Sequence, residues 1–219
     1  MKCVGVNLKN LMAMKIFNTK HIENTSSDIF KKIHLIVDNL TKNEILKKNL
    51  IDIKFRIFND VKLEALDFNV NERSQPSSEL FELTEIEVKR FSQGIDYSPG
   101  IKYLKYFFEI TLKEGNQDLL FNCPNKYNPV EIKGRVVKDK ITLEFQTIYQ
   151  TISEISENQV ILQKRFKETF DKLEEGKLAI NEDVKKFNSE YENLILDLLK
   201  KKKKKIEDDD DFNNSLNNF

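Results

Sequence analysis

The stretch INEDVKKFNSEYENLILDLLKKKKKK, residues 180–205, decides how the C-terminal part of this chain folds. Its apolar residues recur at steps of three and four, which is the spacing of one face of an α-helix or a coiled coil. An earlier set with similar spacing runs from Ile152 to Leu173. The sequence therefore predicts a helical arm over residues 151–205. Its second apolar face, here called the seam, consists of Ile180, Val184, Phe187, Tyr191, Leu194 and Leu198.

The course of the arm in its middle stays open. About 50 uninterrupted helical residues would form a rod of roughly 75 Å at 1.5 Å per residue. Gly176 lies within this run, and Asn181, followed by Glu182 and Asp183, has the features of a new helix start with acids at its positive end. A long C-terminal helix and a helical hairpin are both compatible with this pattern.

A run of six lysines follows the seam, and after Ile206 come five acids from Glu207 to Asp211. Cations at the C-terminal end of a helix offset its macrodipole, which predicts a solvated helix end. A nucleic-acid contact is the alternative, although the neighbouring acids compete for the same ammonium groups. We interpret residues 206–219 as an acidic, polar and disordered tail. The candidate phosphate-binding residues are Lys200, Lys201, Lys202, Lys203, Lys204 and Lys205.

Upstream of the arm, the sequence predicts an α+β body over residues 15–150, after a possible extension over residues 1–14. NTSSDIFKKIHLIVDNL, residues 24–40, opens with cap-type residues and continues with helical spacing. Thr41 and Glu44 stand at capping-box spacing and predict a second, short helix.

Alternation of apolar and polar residues predicts the strands of this body. Strands that follow helices without regular βαβ alternation indicate an α+β fold. The predicted fold is a mainly antiparallel sheet built from hairpins, with two N-terminal helices before it and the long helix or helical hairpin after it. The predicted strands are residues 51–57 and 61–65 as one hairpin, a strand at Ile86 and Val88 after a loop over residues 71–78, a central strand over residues 101–113, and residues 130–137 with 141–145 as a second hairpin.

Composition excludes several function classes. The 36 basic and 36 acidic side chains cancel, so no global field attracts nucleic acid or an anionic membrane. Cys3 and Cys123 have no Cys or His neighbour at ligand spacing, which predicts no disulfide framework and a reducing, cytoplasmic setting. No apolar run reaches the about 20 residues of a membrane span, and the N-terminal stretch is too interrupted for a signal peptide.

No catalytic group, metal site or cofactor site is predicted. Glu131 and Lys133, with Asp118 upstream, have the spacing of a nuclease metal site, in which carboxylates hold Mg²⁺. Acid-x-base triplets are frequent by chance in a chain this charged, so polar positions on the wet face of a strand explain them better than a metal site does. His21 and His34 have no nucleophile or acid at motif spacing.

Three segments of the second half together resemble a known arrangement. They are SPGIKYLKYFFEITLKEGNQDLLFNCPNKYNP, VVKDKITLEFQ and the stretch quoted at the outset. Over residues 98–219 the chain resembles the region that precedes a restriction-endonuclease-like domain in a group of bacterial proteins. The resemblance implies a companion role beside a nuclease in bacterial defence. The nuclease domain itself would follow the helix, so no catalytic residue carries over, and a standalone or truncated relative is expected.

These observations favour a non-catalytic interaction or assembly module. A rod that extends beyond a small domain exposes its seam unless something covers it. We therefore expect the arm to serve self-association, giving a homo-oligomer, or the binding of a protein partner. The alternative is a nucleic-acid-associated component of a bacterial defence or nuclease system, favoured by the lysines and by the resemblance.

Overall fold

The computed structural model describes residues 14–17, 19–82, 102–114, 117–125, 132–137, 139–148 and 155–216. The helices within them are α1 (Ile22–Asp38), α2 (Lys42–Lys47), α3 (Leu50–Val61) and α4 (Ile155–Leu216). The strands are β1 (Met14–Lys15), β2 (Lys20–His21), β3 (Asp67–Phe68), β4 (Ser77–Glu82), β5 (Lys102–Glu114), β6 (Asn122–Cys123), β7 (Lys133–Val137) and β8 (Lys140–Ile148). Two 3₁₀ turns, Val70–Glu72 and Gln117–Phe121, complete the described elements.

An antiparallel sheet forms one half of the fold. Its order is β1-β7-β8-β5-β3, and β4 pairs with the same edge of β5 as β3 does, over residues 102–107. The predicted central strand is β5, and the predicted second hairpin is β7 with β8, in which Val137 pairs with Lys140. A separate parallel pair joins β2 to β6. The predicted α+β class, with a mainly antiparallel sheet and a long C-terminal helix, is confirmed.

Aromatic rings join this sheet to the first half of α4. Alternation along β5 and β8 places Phe108 and Phe145 on one buried face of the sheet. Helix α4 contributes Phe166 and Phe170, one turn apart. The ring centroid of Phe166 lies 4.9 Å from that of Phe108 and 4.5 Å from that of Phe145, both in edge geometry. Such contacts stabilise beyond area burial alone, so the sheet and the helix form one unit.

The second half of α4 packs against the N-terminal helices. Tyr191 is fully buried, and its ring meets that of Phe30 on α1 at 5.1 Å. Ile33 and Val37 of α1, together with Ile53, Ile57 and Val61 of α3, belong to the same hydrophobic core as Ile195 and Leu199 of α4. Residues of the predicted body over 15–150 and of the predicted arm over 151–205 therefore contribute to one core.

The prediction of a hairpin over residues 51–65 is wrong, because residues 50–61 form helix α3. Its apolar residues satisfy both periodicities, and the helix buries Ile53, Ile57 and Val61 while Ile51 and Phe55 are each 54% exposed. Asn49 begins the helix, because its side-chain oxygen accepts from the Ile51 N–H at 2.9 Å. Of the second predicted strand, residues 61–65, Val61 ends helix α3 and the other four residues have no regular secondary structure.

Helix α1 also begins earlier than predicted, at Ile22 rather than after the cap-type residues at 24–27. Ile22 is buried, and its packing extends the helix by a turn at the N-terminal side. The capping box of α2 is confirmed, with Thr41 and Glu44 bonding to each other's backbone N–H. Three described helices therefore precede the long one where two were predicted, since α3 replaces a hairpin.

Helix α4 is continuous through Gly176, so the hairpin alternative does not apply. Gly176 makes room for an aromatic ring, because a Cβ at this position would collide with the ring of Phe17. Phe17 is fully buried and has a φ of 58°, a left-handed conformation uncommon for a residue with a side chain. Its backbone N–H donates to the Leu120 carbonyl at 2.6 Å, which holds the ring against the helix.

The helix also continues beyond the lysine run. Residues 206–216, predicted as a disordered tail, are helical. Lys203 and Glu207 form an ion pair one turn apart at 3.7 Å, a spacing that supports a helix. In the sheet, β4 includes Ser77 and Ser78, which were predicted as loop. The predicted strand at Ile86 and Val88 lies outside the described residues, as do residues 1–13 and 217–219.

Candidate interaction surface

The seam lies inside the protein rather than on its surface. Ile180, Val184, Phe187 and Tyr191 are at most 6% exposed, and Leu194 and Leu198 are half-buried against the same core. The seam is covered by the protein's own residues, with α1 and α3 packed on this part of α4. The expectation that the seam is left uncovered is therefore wrong. Local spacing could not reveal the cover, because both helices come from a distant part of the chain.

Two asparagines beside the seam bind the backbone of the segment that follows α3. The Asn188 side chain accepts from the Leu63 N–H at 2.9 Å and donates to the Leu63 carbonyl at 2.8 Å. Asn181 does the same with Leu66, at 2.8 and 2.9 Å. Each amide thus satisfies a backbone donor and acceptor that no strand partners. Sequence reasoning missed this role, although two asparagines seven residues apart beside an apolar stripe were a visible signal.

A hydroxyl pair closes the interface between α1 and α4. The Tyr191 hydroxyl donates to Ser26 Oγ at 3.0 Å, and both residues are buried. Burial raises the pKa of Tyr191 above its usual value, with Glu190 acting in the same direction and the Ser26 bond opposing it. This end of the seam is thus a specific packing contact inside one chain.

The lysine run is divided by the helix into an inward and an outward side. Lys202 donates to the carbonyls of Val37 and Asp38 at 2.9 and 2.7 Å, so it caps the C-terminal end of α1, whose own last turn has no basic residue. Lys203 pairs with Glu207. The remaining members of the run are exposed, namely Lys200, Lys201, Lys204 and Lys205.

The acidic run is divided in the same way. Asp210 pairs with Lys42 at the start of α2, and Ile206 is half-buried against the core. Asp208, Asp209 and Asp211 are exposed. The last turns of α4 are therefore docked on α1 and α2 along one side and face solvent along the other.

Helix α4 also carries exposed apolar side chains outside the region that the core covers. Between residues 159 and 165 only Leu162 is half-buried, while Val160 and Ile161 are 65% and 56% exposed. Near the other end Phe212 is 63% exposed. Large apolar groups left in solvent cost free energy that contact with another molecule recovers.

A buried carboxylate occurs where the sequence indicated a new helix start. Asp183 is 8% exposed and accepts from the backbone and side-chain N–H groups of Asn125, at 2.8 and 3.3 Å. Burial, followed by the charge of Asp183, raises the pKa of the nearby Cys123 thiol. A thiol kept protonated is a poor nucleophile, so Asp183 does not activate Cys123. The contact between Asp183 and Asn125 instead anchors a loop.

The described residues bring no catalytic cluster together. Asp118 lies in a 3₁₀ turn and Lys133 in β7, while Glu131 lies outside the described residues. His21 lies in β2 and His34 lies in α1, and both side chains are exposed. Within the described part of the chain no group of three or more His, Cys, Asp or Glu side chains is placed to hold a metal ion. None of the described helices is both long enough and apolar enough to cross a membrane.

Comparisons with known proteins return no match to this chain, whether against family models, curated proteins or solved structures. The resemblance of residues 98–219 to the region before a nuclease domain therefore stays a prediction. The function has to be argued from the geometry of α4 itself.

Proposed function

We propose that this protein is a non-catalytic assembly module in which α4 binds a second protein molecule, most simply another copy of the chain. The observation that carries the proposal is the reach of the helix. Its 62 residues span about 93 Å at 1.5 Å per residue. A compact chain of 219 residues has a radius of gyration of only about 17 Å. A helix of this length extends past the core that its middle part helps to form.

The uncovered parts of α4, rather than its seam, supply the contact. The seam is occupied by α1 and α3, whereas Val160, Ile161 and Phe212 face solvent on either side of the covered region. Assembly through exposed side chains leaves the folded chain unchanged, which suits a module that works without chemistry. The cytoplasmic setting expected from the cysteines belongs to the same proposal.

The mass of the full chain in solution tests this proposal. Sedimentation equilibrium over a range of protein concentrations is expected to give a species heavier than a monomer. If the N-terminal end of α4 is the contact, Val160→Asp with Ile161→Asp returns the mass to that of a monomer without lowering the melting temperature, because both side chains are exposed. A chain that stays monomeric at every concentration overturns the proposal.

A second candidate is a nucleic-acid-associated component of a bacterial defence or nuclease system. The observation in its favour is the exposure of Lys200, Lys201, Lys204 and Lys205 on one side of α4. Binding to phosphates through these lysines would weaken steeply as salt is raised, because counterions are released on binding. A mobility shift of RNA or DNA at low salt, lost after replacement of these four lysines by glutamine, supports this candidate.

A further inference from the structure

One side of α4 near its C-terminal end carries charges that are sorted along the helix axis. Here the helix turns about 100° per residue, and six exposed residues fall within an arc of roughly 120° opposite the half-buried Lys202, Ile206 and Asp210. Lys205, Glu207 and Asp209 are also exposed, on the flanks of this arc. The arc is called the outward face and consists of Lys200, Lys201, Lys204, Asp208, Asp211 and Phe212.

The outward face is complementary to itself. All of its cations precede the level of Ile206, and its anions follow that level. A two-fold axis beside Ile206 places two such helices antiparallel and sets against each other residues that lie at nearly equal distances from the axis on the same flank of the contact. Lys204 then meets Asp208 of the other copy, and Lys200 meets Asp211. Because the axis is two-fold, each pair forms twice.

We infer that two copies of this chain associate through their outward faces, antiparallel about a two-fold axis beside Ile206. The inference rests on the proposed assembly function and names the contact. It also gives Phe212 a partner, since the same axis lays its ring on the aliphatic stem and ammonium group of Lys201 in the other copy. Lysine stems cover apolar surface well, and an ammonium group is attracted to an aromatic face.

The charges of the outward face are available for this contact. In the described part of the chain, Lys200, Lys201 and Lys204 form no ion pair, and neither do Asp208 and Asp211. Pairs one turn apart in the same helix, such as Lys204 with Asp208, are weak in water and leave the groups free to bind elsewhere. The inward charges, by contrast, are engaged: Lys202 caps α1 and Asp210 pairs with Lys42.

A second copy explains the outward face better than a nucleic acid does. A nucleic acid presents phosphates throughout, so it would gain from the lysines and be repelled by Asp208 and Asp211 in the same arc. Only a partner whose charges run in the opposite order satisfies both ends of the face. The same helix in antiparallel orientation is such a partner.

Two complementary charge reversals test the inference in the full chain. Lys200→Glu with Lys204→Glu makes the outward face acidic, whereas Asp208→Lys with Asp211→Lys makes it basic. Each variant repels itself, so we expect each to dimerise more than about tenfold less tightly than the unaltered chain. An equimolar mixture of the two is expected to regain the dimer mass, because every pair across the two-fold axis is again opposite in sign. Sedimentation equilibrium measures both effects, with circular dichroism to verify folding.

Salt and a matched variant provide the controls. The dimer is expected to weaken as the Debye screening length decreases from about 8 Å at 0.15 M salt to about 3 Å at 1 M. Lys185→Glu with Lys186→Glu reverses two exposed lysines elsewhere on α4 and should leave the dimer unchanged. A mixture that stays monomeric overturns the inference even when the unaltered chain is a dimer.

The remaining outcomes separate the inference from the proposal on which it rests. If the unaltered chain dimerises and neither reversal weakens the dimer, the outward face is not the contact, while the assembly proposal stands. If the unaltered chain is monomeric at low salt, both fail. A monomer that shifts an RNA or DNA probe, and loses this activity after Lys200→Glu with Lys204→Glu, assigns the lysines to phosphate binding and overturns the inference.

Discussion

A serine lies in the core of this protein because a tyrosine hydroxyl meets it there. Ser26 is 2% exposed, and Tyr191 Oη lies 3.0 Å from its Oγ. A buried hydroxyl without a partner costs free energy, whereas removing both hydroxyls together costs little. Each hydroxyl thus allows the burial of the other, although 165 positions of sequence separate the two residues.

We expect Tyr191→Phe and Ser26→Ala each to lower the free energy of unfolding by about 1–3 kcal/mol, because each leaves the other hydroxyl unpaired. The double variant should cost less than the sum of the two. Urea unfolding of all four proteins measures the coupling. Strictly additive effects would show that the hydroxyls do not depend on each other.

The same tyrosine predicts a loss of stability in alkali. Burial raises the pKa of Tyr191 in the folded chain above its value of about 10 in the unfolded chain. Its contribution to stability is therefore complete below about pH 10 and decreases as the pH rises towards the folded-state pKa. Tyr191→Phe should unfold with a shallower dependence on pH in this range, as measured by urea unfolding at a series of alkaline pH values. Equal slopes for the two proteins would contradict the prediction.

At the residue scale the sequence predicted which side of α4 is apolar but not what covers it. Spacing alone identified Phe187 and Tyr191 as hidden from water, and they are. Their partners, Phe30 and Ser26 among them, are more than a hundred residues away, and local periodicity contains no information about such contacts. Which lysines of the run face inward likewise depends on the position of α1, which the sequence pattern does not contain.

At the scale of elements, long periodic segments were predictable and short ambiguous ones were not. Helix α4 and strand β5 have many repeats of a single period. The α3 segment fits alternation and helical spacing equally, and the competition was decided by Asn49 as an N-cap and by packing against α4. Gly176 left a helical hairpin open as an alternative to one continuous helix, whereas in the structure this glycine makes room for the ring of Phe17.

Replacement of that glycine tests the close approach. In an ordinary helix Gly→Ala stabilises by about 1 kcal/mol. At Gly176 the added methyl group collides with the Phe17 ring, and overpacking costs about 1–3 kcal/mol. We therefore expect Gly176→Ala to lower the melting temperature, and Phe17→Leu to recover part of the loss when the two are combined. A melting temperature raised by Gly176→Ala alone would exclude the contact.

The lysine run makes a second element-scale prediction, because its members are not equivalent. Lys202 binds the last carbonyls of α1, so Lys202→Met should destabilise by about 1 kcal/mol. Lys201→Met, one position away and exposed, should change stability by no more than about 0.5 kcal/mol. Thermal unfolding of the two variants compares them directly. Equal effects would mean that the cap contributes nothing.

On the scale of the whole molecule, α4 is the element that joins the sheet to the N-terminal helices. Its first half holds the sheet through Phe166 and Phe170, and its second half holds α1 and α3. Two layers that share few direct contacts are thus joined through one helix. In the assembly that we propose, the contact with a second copy uses a different side of α4 from the one that stabilises the fold.

Phe187→Ala separates these two sides. Phe187 is 6% exposed, and truncation of a buried phenylalanine costs about 3–5 kcal/mol. The variant should melt at a lower temperature while its mass at temperatures below melting stays that of the unaltered chain. Differential scanning calorimetry with light scattering measures both, and Lys186→Ala on the exposed neighbour is the matched control. Dissociation of an assembly by Phe187→Ala without loss of stability would assign the seam to the interface after all.

The position of α4 in the chain has a consequence for synthesis. Ser26 emerges from the ribosome 165 residues ahead of Tyr191, a delay of roughly 8–33 s at about 5–20 residues per second. Throughout that interval the apolar sides of α1 and α3 have no partner, since the helix that covers them has not been translated. The core closes only after the second half of α4 is made, so the nascent protein presents these sides to chaperones for longer than a protein built from local contacts does.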